Sequence, residues 1–323
     1  MEGKLIVSSS PHISSPTKTR NLMLNVIIAL VPALIASVIF FGYRSIVIEV
    51  ASVATCVISE YICRKIMKRE QTIGDLSAVV TGLLLAFNLP SSVPIYVPIL
   101  GGIVAIVIAK QMFGGIGQNF VNPALISRII LMNSFPVLMT TWYQPSAGNF
   151  LGDATATASP LAIISGASGT LPSYFNMFIG NRAGCLGETS VLALLIGGIF
   201  LIARKVIAPT IPLTYIATVF ILSAVLGQDP LMQILSGGLF LGAFFMATDY
   251  VTSPLTNKGK FIYALCMGII TVFIRVFASL PEGVSYSIVL MNIITPLIER
   301  KTIPLPFGAV KEPKEKKVKE AQK

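Results

Sequence analysis

The sequence predicts an all-α polytopic membrane protein of about ten transmembrane helices in two inverted five-helix repeats. Three observations predict it. Composition is the first: 54% of the 323 residues are hydrophobic and only 12% charged, about half the charged share of a soluble domain. With a mean hydropathy of +0.80, the chain carries more apolar surface than one soluble core hides, so a lipid bilayer must act as part of its solvent. The second observation is a series of apolar runs of membrane length, and the third is where the basic residues fall between them.

In chain order the apolar runs cover residues 22–42, 45–63, 76–92, 93–110, 119–136, 189–203, 209–227, 232–248, 262–281 and 284–299. Several are short or interrupted by Pro and Gly. Ten spans put both termini on one side, and charge says which. With the N-terminus inside, inner segments hold twenty Lys and Arg, among them Lys18, Arg64, Lys110, Lys205, Lys260 and the tail lysines. Outer segments hold two, Arg44 and Arg182, while Arg128 and Arg275 lie within spans. That split follows the positive-inside rule and places the termini in the cytoplasm. The first twenty residues are polar and basic, unlike a cleavable signal. The net charge of +10 is explained by these clusters, and nucleic acid is not an expected partner.

The expected organisation is therefore a cytoplasmic N-terminus and first repeat over 1–136, an outer loop over 137–188, a second repeat over 189–300 and a basic tail over 301–323. The outer loop is rich in Gly, Ser, Thr and Ala, and a connection of that length is too long to be a mere link. Residues 81–110 and 236–275 echo one another: each has a small residue and Gly, a Leu/Phe-rich turn, a break with Pro and a second span. Inverted repeats of this kind place ligand sites at interrupted helices.

Four motifs hold the chemistry-bearing residues. In GGIGQNFVNPA, Gly114 to Ala124, glycines including Gly115 and Gly117 allow positive φ and close approach, while Asn119 and Asn122 supply amide donors and acceptors. Pro123 suits a helix start, where free N–H groups favour an anionic or electron-rich ligand. Arg128 follows within the span, where a charge is expensive and needs a partner. The plainer reading is a helix-breaking turn with an arginine reaching for the surface. In FFMATDYVTSPLT, Phe244 to Thr256, Asp249 ends an apolar run among Thr248, Thr252 and Ser253, a set able to serve a cation or hydrogen-bond a flavin ring, or simply to cap a helix. Asp75 holds a similar place in the other repeat.

In GDATATASPLA, Gly152 to Ala162, the outer loop offers Asp153, Thr155, Thr157 and Ser159; taken bare, this is a small-residue turn. In GNRAGCLGETSVLALLIGG, Gly180 to Gly198, Glu188 stands where an acid complements a helix dipole. Arg182 there has either a phosphate or Glu188 as partner. The four cysteines lack zinc, redox or iron–sulfur spacing, so no metal is expected, and His12, the only histidine, cannot complete a hydrolase triad in the outer loop.

Taken together, SSPHI (Ser9 to Ile13), TGLLLAFNLP (Thr81 to Pro90), FGGIGQNFVNPALISR (Phe113 to Arg128), GETSVLALLIGG (Gly187 to Gly198) and FFMATDYVTSPLT resemble the RnfD/NqrB family over nearly the whole chain. The resemblance implies membership in a six-subunit Rnf-type complex that passes electrons between reduced ferredoxin and NAD(H), coupled to Na⁺ or H⁺ translocation. It implies an enzyme subunit that is not catalytic alone, whose catalytic residues are not named by the sequence. It also implies FMN joined through its phosphate to an outer-loop hydroxyl by a separate flavin transferase, with a non-covalent flavin such as riboflavin as an optional second cofactor.

The family's attachment pattern, Asp-x-x-Ser-Gly-Ala-Thr before Pro-Leu, aligns Asp153 and Pro160-Leu161 so that the acceptor falls on Ser159. Here Ser replaces Thr and Ala156-Thr157 replaces Ser-Gly, so Thr157 and then Thr155 stay open as acceptors. Two readings compete with the redox subunit: a secondary transporter with inverted repeats, and a scaffold subunit that has lost its flavin.

Overall fold

Interrupted helices dominate the architecture. A computed structural model describes residues 18–145, 156–278 and 282–304. The elements of the first half are α1 (Thr19–Phe41), α2 (Tyr43–Ile66), α3 (Ser77–Phe87), α4 (Tyr96–Gln111, its second half π-helical from Val104) and α5 (Pro123–Ser134). Three short helices follow, α6 (Pro136–Thr140), α7 (Pro160–Ile164) and α8 (Tyr174–Ile179). The second half holds α9 (Val191–Ala203), α10 (Thr210–Val225), α11 (Pro230–Leu235), α12 (Leu239–Leu241, running on as a π turn over Gly242–Met246), α13 (Asn257–Phe277) and α14 (Val284–Thr302). One two-residue ladder pairs β1 (Trp142–Tyr143) with β2 (Ala156–Thr157).

Every one of the ten apolar runs contains helix. Among the described residues, α1, α2 and α13 are long and apolar enough to cross a membrane. The run 76–92 is helical only to Phe87; eleven residues rise roughly 16 Å, about half of a ~30 Å hydrocarbon core. The run 232–248 is split by Ser236–Gly238 between α11 and α12. The chain is thus a mostly helical, multi-pass membrane protein.

Small residues set the helix contacts, as expected where lipid removes the hydrophobic drive between helices. A Cβ on Gly82 of α3 would sit 2.7 Å from the Val53 Cα of α2, and Ser52 Oγ donates to the Gly82 carbonyl at 2.8 Å. A Cβ on Gly197 of α9 would meet the Ala29 carbonyl oxygen of α1 at 2.0 Å. Helices α2, α3 and α4 pack together, as do α10, α13 and α14, and α1–α9 and α5–α14 join the two halves.

Backbone groups freed by the breaks find partners, as they must away from water. The Phe87 and Leu89 carbonyls accept from the Gly187 and Leu186 N–H groups, both at 3.0 Å. Arginines serve the same purpose: Arg275 donates to the Gln233 and Ser236 carbonyls at 2.6 and 3.2 Å, Arg182 to Glu188 and Thr189 carbonyls at 2.6 and 3.1 Å, and Arg44 to the Ser92 carbonyl at 3.0 Å. The open choice at Arg182 resolves within the chain onto the backbone of Glu188, not its carboxylate.

Candidate functional site

Two polar regions stand out along α5, one at its N-terminus and one at its middle. At its N-terminus lies a cavity of about 420 Å³, within the roughly 300–1,000 Å³ range of small-molecule sites. The Gly-rich turn and the Asp249 break meet here: Gly117, Asn119, Asn122 and Asp249 all line it, with Lys110 and apolar walls that include Phe244 and Phe245. Positive φ at Gly114, Gly115 and Gly117 (122°, 102° and 86°) makes this turn possible. Gly117 faces open space, whereas a Cβ on Gly115 would strike the Arg64 guanidinium at 2.5 Å. Gly115 therefore seats Arg64 and does not line the cavity.

Part of each asparagine is spent on the fold. Asn122 caps α5, accepting from the Ala124 and Leu125 N–H groups at 3.1 and 3.4 Å, and its amide donates to the Met246 carbonyl at 3.4 Å. Asn119 donates to the Val121 carbonyl at 3.0 Å, leaving its amide oxygen available. Asp249 accepts from the Val251 N–H at 3.5 Å and from Thr252 Oγ1 at 3.3 Å. Thr252 is buried behind Asp249 and positions it. Apolar walls with one edge of amide and carboxylate suit a flat heteroaromatic ring with a hydrogen-bonding edge, and a flavin fits that description.

Beside this cavity stands an ion pair. Lys110 Nζ lies 2.9 Å from Glu60 Oε2 and 2.6 Å from Ser77 Oγ, and Glu60 Oε1 accepts from Gln111 at 3.0 Å and Thr72 at 2.8 Å. Lys110, and Arg64 one turn beyond Glu60, count in the sequence as inner-surface cations. The structure corrects this: both are buried in the bundle, because Glu60 supplies a partner. The π-helical second half of α4 carries Lys110, and π segments are frequent at functional sites. Asp75 has no comparable ligand role; it caps α3 through Ser77.

Arg128, six residues beyond Asn122, is 1% exposed and does not touch the Gly-rich cavity, correcting the pairing that the sequence suggests. Instead it donates to Asn88 Oδ1 at 2.6 Å, Glu188 Oε1 at 2.9 Å, Ser285 Oγ at 3.0 Å and to the Glu282 carboxylate. Cys185, Glu188 and Glu282 crowd within 4.8 Å in the manner of metal ligands, but the guanidinium holds the place a cation would take, with Cys185 Sγ at 3.5 Å.

Ser159 opens beside this centre, in a small crevice with Arg182, Glu188 and Glu282. Its Oγ caps α7, accepting from the Ala162 N–H at 3.3 Å. Ser159 is half-buried, and Arg182 lines the same crevice. Thr157 is exposed in β2, opposite Trp142. Asp153 and Thr155 lie outside the described residues, as do His12, the Ser9–Ile13 motif and the tail beyond 304. Sequence reasoning missed Glu60, Glu282 and Asn88 as members of buried centres. Only the cost of leaving Arg128 and Lys110 unpaired in an apolar chain would have prompted a search for them.

Comparison with known proteins follows the same chain almost end to end. The model of the NQR2, RnfD, RnfE family matches residues 6–308. The chain is 48% identical to the D subunit of a Na⁺-translocating ferredoxin:NAD⁺ oxidoreductase complex from Acetobacterium woodii, covering 98% of this chain and 99% of that protein. It is 43% identical to the D subunit of a proton-translocating ferredoxin:NAD⁺ oxidoreductase complex from Clostridium ljungdahlii, over 94% and 96% of the two chains. It is 34% identical to the D subunit of an ion-translocating oxidoreductase complex from Shigella dysenteriae, over 94% and 98%. With the family model spanning nearly all of the sequence and relatives matched along their whole length, this chain belongs to the NQR2, RnfD, RnfE family.

Proposed function

We propose that this chain is the membrane-embedded D subunit of an ion-translocating ferredoxin:NAD⁺ oxidoreductase complex. In this reading it relays electrons through FMN esterified to Ser159 and a non-covalent flavin in the inner cavity. The observation that carries the reading is the end-to-end 48% identity to a protein so named. Its partners are the other subunits of the complex, with ferredoxin and NAD(H) acting at those subunits and a flavin transferase needed for maturation. The two relatives of highest identity named above translocate different ions, so likeness alone does not choose between Na⁺ and H⁺.

A bound flavin supplies one- and two-electron redox chemistry. The residues of this chain hold it and set its surroundings. At the inner cavity, Phe244 and Phe245 exclude water, and Asn119 and Asp249 present an acceptor edge. Lys110 brings a cation that offsets negative charge on a reduced ring. At the outer crevice, Ser159 supplies the ester oxygen, and Arg182 stands where a phosphodiester needs a counter-charge.

The topology proposed with this function is ten spans in two inverted repeats, termini cytoplasmic. Supporting it, Gly82 and Pro94 are spaced as Gly242 and Pro254 are, each pair bracketing a helix break. Packing of α2 on α4 and of α4 on α5 is repeated by α10 on α13 and α13 on α14.

The test is in-gel flavin fluorescence of the denatured protein, expressed with a flavin transferase, followed by mass mapping of residues 137–188. Wild type and Thr157→Ala are expected to fluoresce and Ser159→Ala to be dark. Fluorescence that survives in Ser159→Ala would move the acceptor to another hydroxyl. A dark wild-type band would favour the transporter or the flavin-free scaffold.

A further inference from the structure

A second cavity, of about 430 Å³, adjoins the first across the Asp249 break. Its walls are the end of α9, the turn over 205–209, the start of α10, the break itself and the first turn of α13. Val206, Ile207, Thr248 and Tyr250 line both cavities, and the Tyr250 hydroxyl donates to the Val206 carbonyl where they meet.

The chemistry of this chamber differs from that of its neighbour. Two lysines, Lys205 and Lys260, line it, and no carboxylate does. Among the described residues neither lysine forms an ion pair. Ser253 also lines it; the residue is only 8% exposed, and its hydroxyl has no hydrogen-bond partner among the described residues. Lys205 adopts a left-handed φ of 56° in a turn where glycine would be free of strain. That conformation places Lys205, an exposed residue, at the chamber wall. Ile202, Ile207 and Ile211 make the remaining wall apolar.

Two unpaired cations and an unpaired hydroxyl beside apolar surface are the complement of a phosphate attached to an apolar body. We propose that this chamber is a phosphate-recognising site, held by Lys205, Lys260 and Ser253. Phosphate of that description has two sources: the headgroup of an anionic phospholipid in the adjacent leaflet, or the terminal phosphate of a flavin whose ring lies in the first cavity across Tyr250. The headgroup source is independent of whether the first cavity holds a flavin.

The whole complex, delipidated in detergent, is the material for the test. Native mass spectrometry would measure retention of phosphatidylglycerol against phosphatidylcholine. Flavin released by acid precipitation would separately measure retention of FMN against riboflavin, with the covalent flavin left in the pellet. Wild type is expected to show one of these preferences, and K205Q/K260Q to lose it by roughly 10- to 30-fold, as two juxtamembrane cations are worth. Added salt should shrink the preference in wild type and hardly alter it in the variant.

Loss of the phosphatidylglycerol preference identifies a headgroup site; loss of the FMN preference identifies the flavin's own phosphate. S253A, which removes no charge, should weaken the same preference several-fold and covers the case in which the double variant fails to assemble. Wild type with neither preference, or variants indistinguishable from it in both, would overturn the proposal. A complex without any acid-released flavin would count against the first cavity's flavin alone.

Discussion

The start and the middle of α5 are built by opposite rules, although Asn122 and Arg128 are separated by only six residues, roughly 9 Å of helical rise. The start keeps space. Its walls are largely apolar, with Asn119 and Asp249 among the polar groups that line it. The middle keeps none: Arg128 is fully enclosed and meets two carboxylates, an amide and a hydroxyl from three separate segments. One region encloses a cavity and the other joins segments of the two halves. Met246 touches both, accepting through its carbonyl from Asn122 at the cavity and through its sulfur from Asn88 at the arginine centre. A change in either region therefore has a short packed route to the other, across the contact between the two halves.

If the arginine centre is a fastening, removing its cation should be the most damaging change in the molecule. Arg128→Ala leaves Glu188 and Glu282 buried and unpaired, and breaking a buried pair costs about 3–5 kcal/mol. The expected outcome is a large fall in the thermal midpoint of the solubilised protein, or failure to assemble, together with loss of turnover. A variant that melts with wild type would show that the centre is not a fastening. Carrying Glu282→Gln in addition should recover part of the loss, because one orphaned charge is removed.

The Glu60–Lys110 pair sharpens the comparison, because it is as buried as Arg128 yet borders the cavity. Glu60→Ala and Lys110→Ala should each destabilise by about 3 kcal/mol or more. The double variant should cost less than the sum of the two, with a coupling of about 0.5–3 kcal/mol in thermal or chemical unfolding. Additive losses would mean the two groups do not act as a pair. Lys110→Met should also lower the midpoint potential of flavin held in the cavity, whereas Arg128 variants that still assemble should leave it nearly unchanged.

At the cavity itself smaller effects are expected, because no fold-bearing ion pair is broken. Asp249→Asn and Asn119→Ala each remove one ligand-facing acceptor, worth about 0.5–1.5 kcal/mol if neutral and 1.5–3 if charged. Non-covalent flavin retention should fall a few-fold for Asn119→Ala and about ten- to a hundred-fold for Asp249→Asn. The thermal midpoint without flavin should move little. Unchanged flavin content in both variants would remove these residues from the site.

The cavity at the start of α5 was largely legible in the sequence and the arginine centre was not, for a physical reason. Glycines that permit positive φ, an asparagine before proline and an acid at a helix break are local signals, so Gly117, Asn119, Asn122 and Asp249 stood out before their convergence was known. The convergence was not legible, because residues 117 and 249 meet only through tertiary packing. Arg128 was conspicuous, but its partners lie 40, 60 and more than 150 positions away, and nothing local distinguishes Glu282 from an ordinary loop acid. Apolar runs located the helices correctly and overstated several of their lengths. Hydropathy continues through Leu89 and Pro90, whereas the helical hydrogen bonds stop at Phe87 because the chain turns to pair with residues 185–187.

The smallest expected effect belongs to a pair that resembles the arginine centre in kind but stands in water. Asp229, exposed in the turn before α11, accepts from the Tyr174 hydroxyl and from the Leu231 and Met232 N–H groups. The tyrosine bond and these backbone bonds hold its carboxyl below the usual 3.8, and the tyrosine hydroxyl is pushed up in turn. A carboxyl whose folded pKa is depressed stabilises the fold fully above its unfolded value and loses that contribution as pH falls through the folded value. Asp229→Asn should therefore lower the thermal midpoint slightly at pH 7, by a contribution of about 1 kcal/mol or less for so exposed a group. The gap to wild type should close below about pH 4. A gap that persists at low pH would assign the effect to packing around α8 and α11.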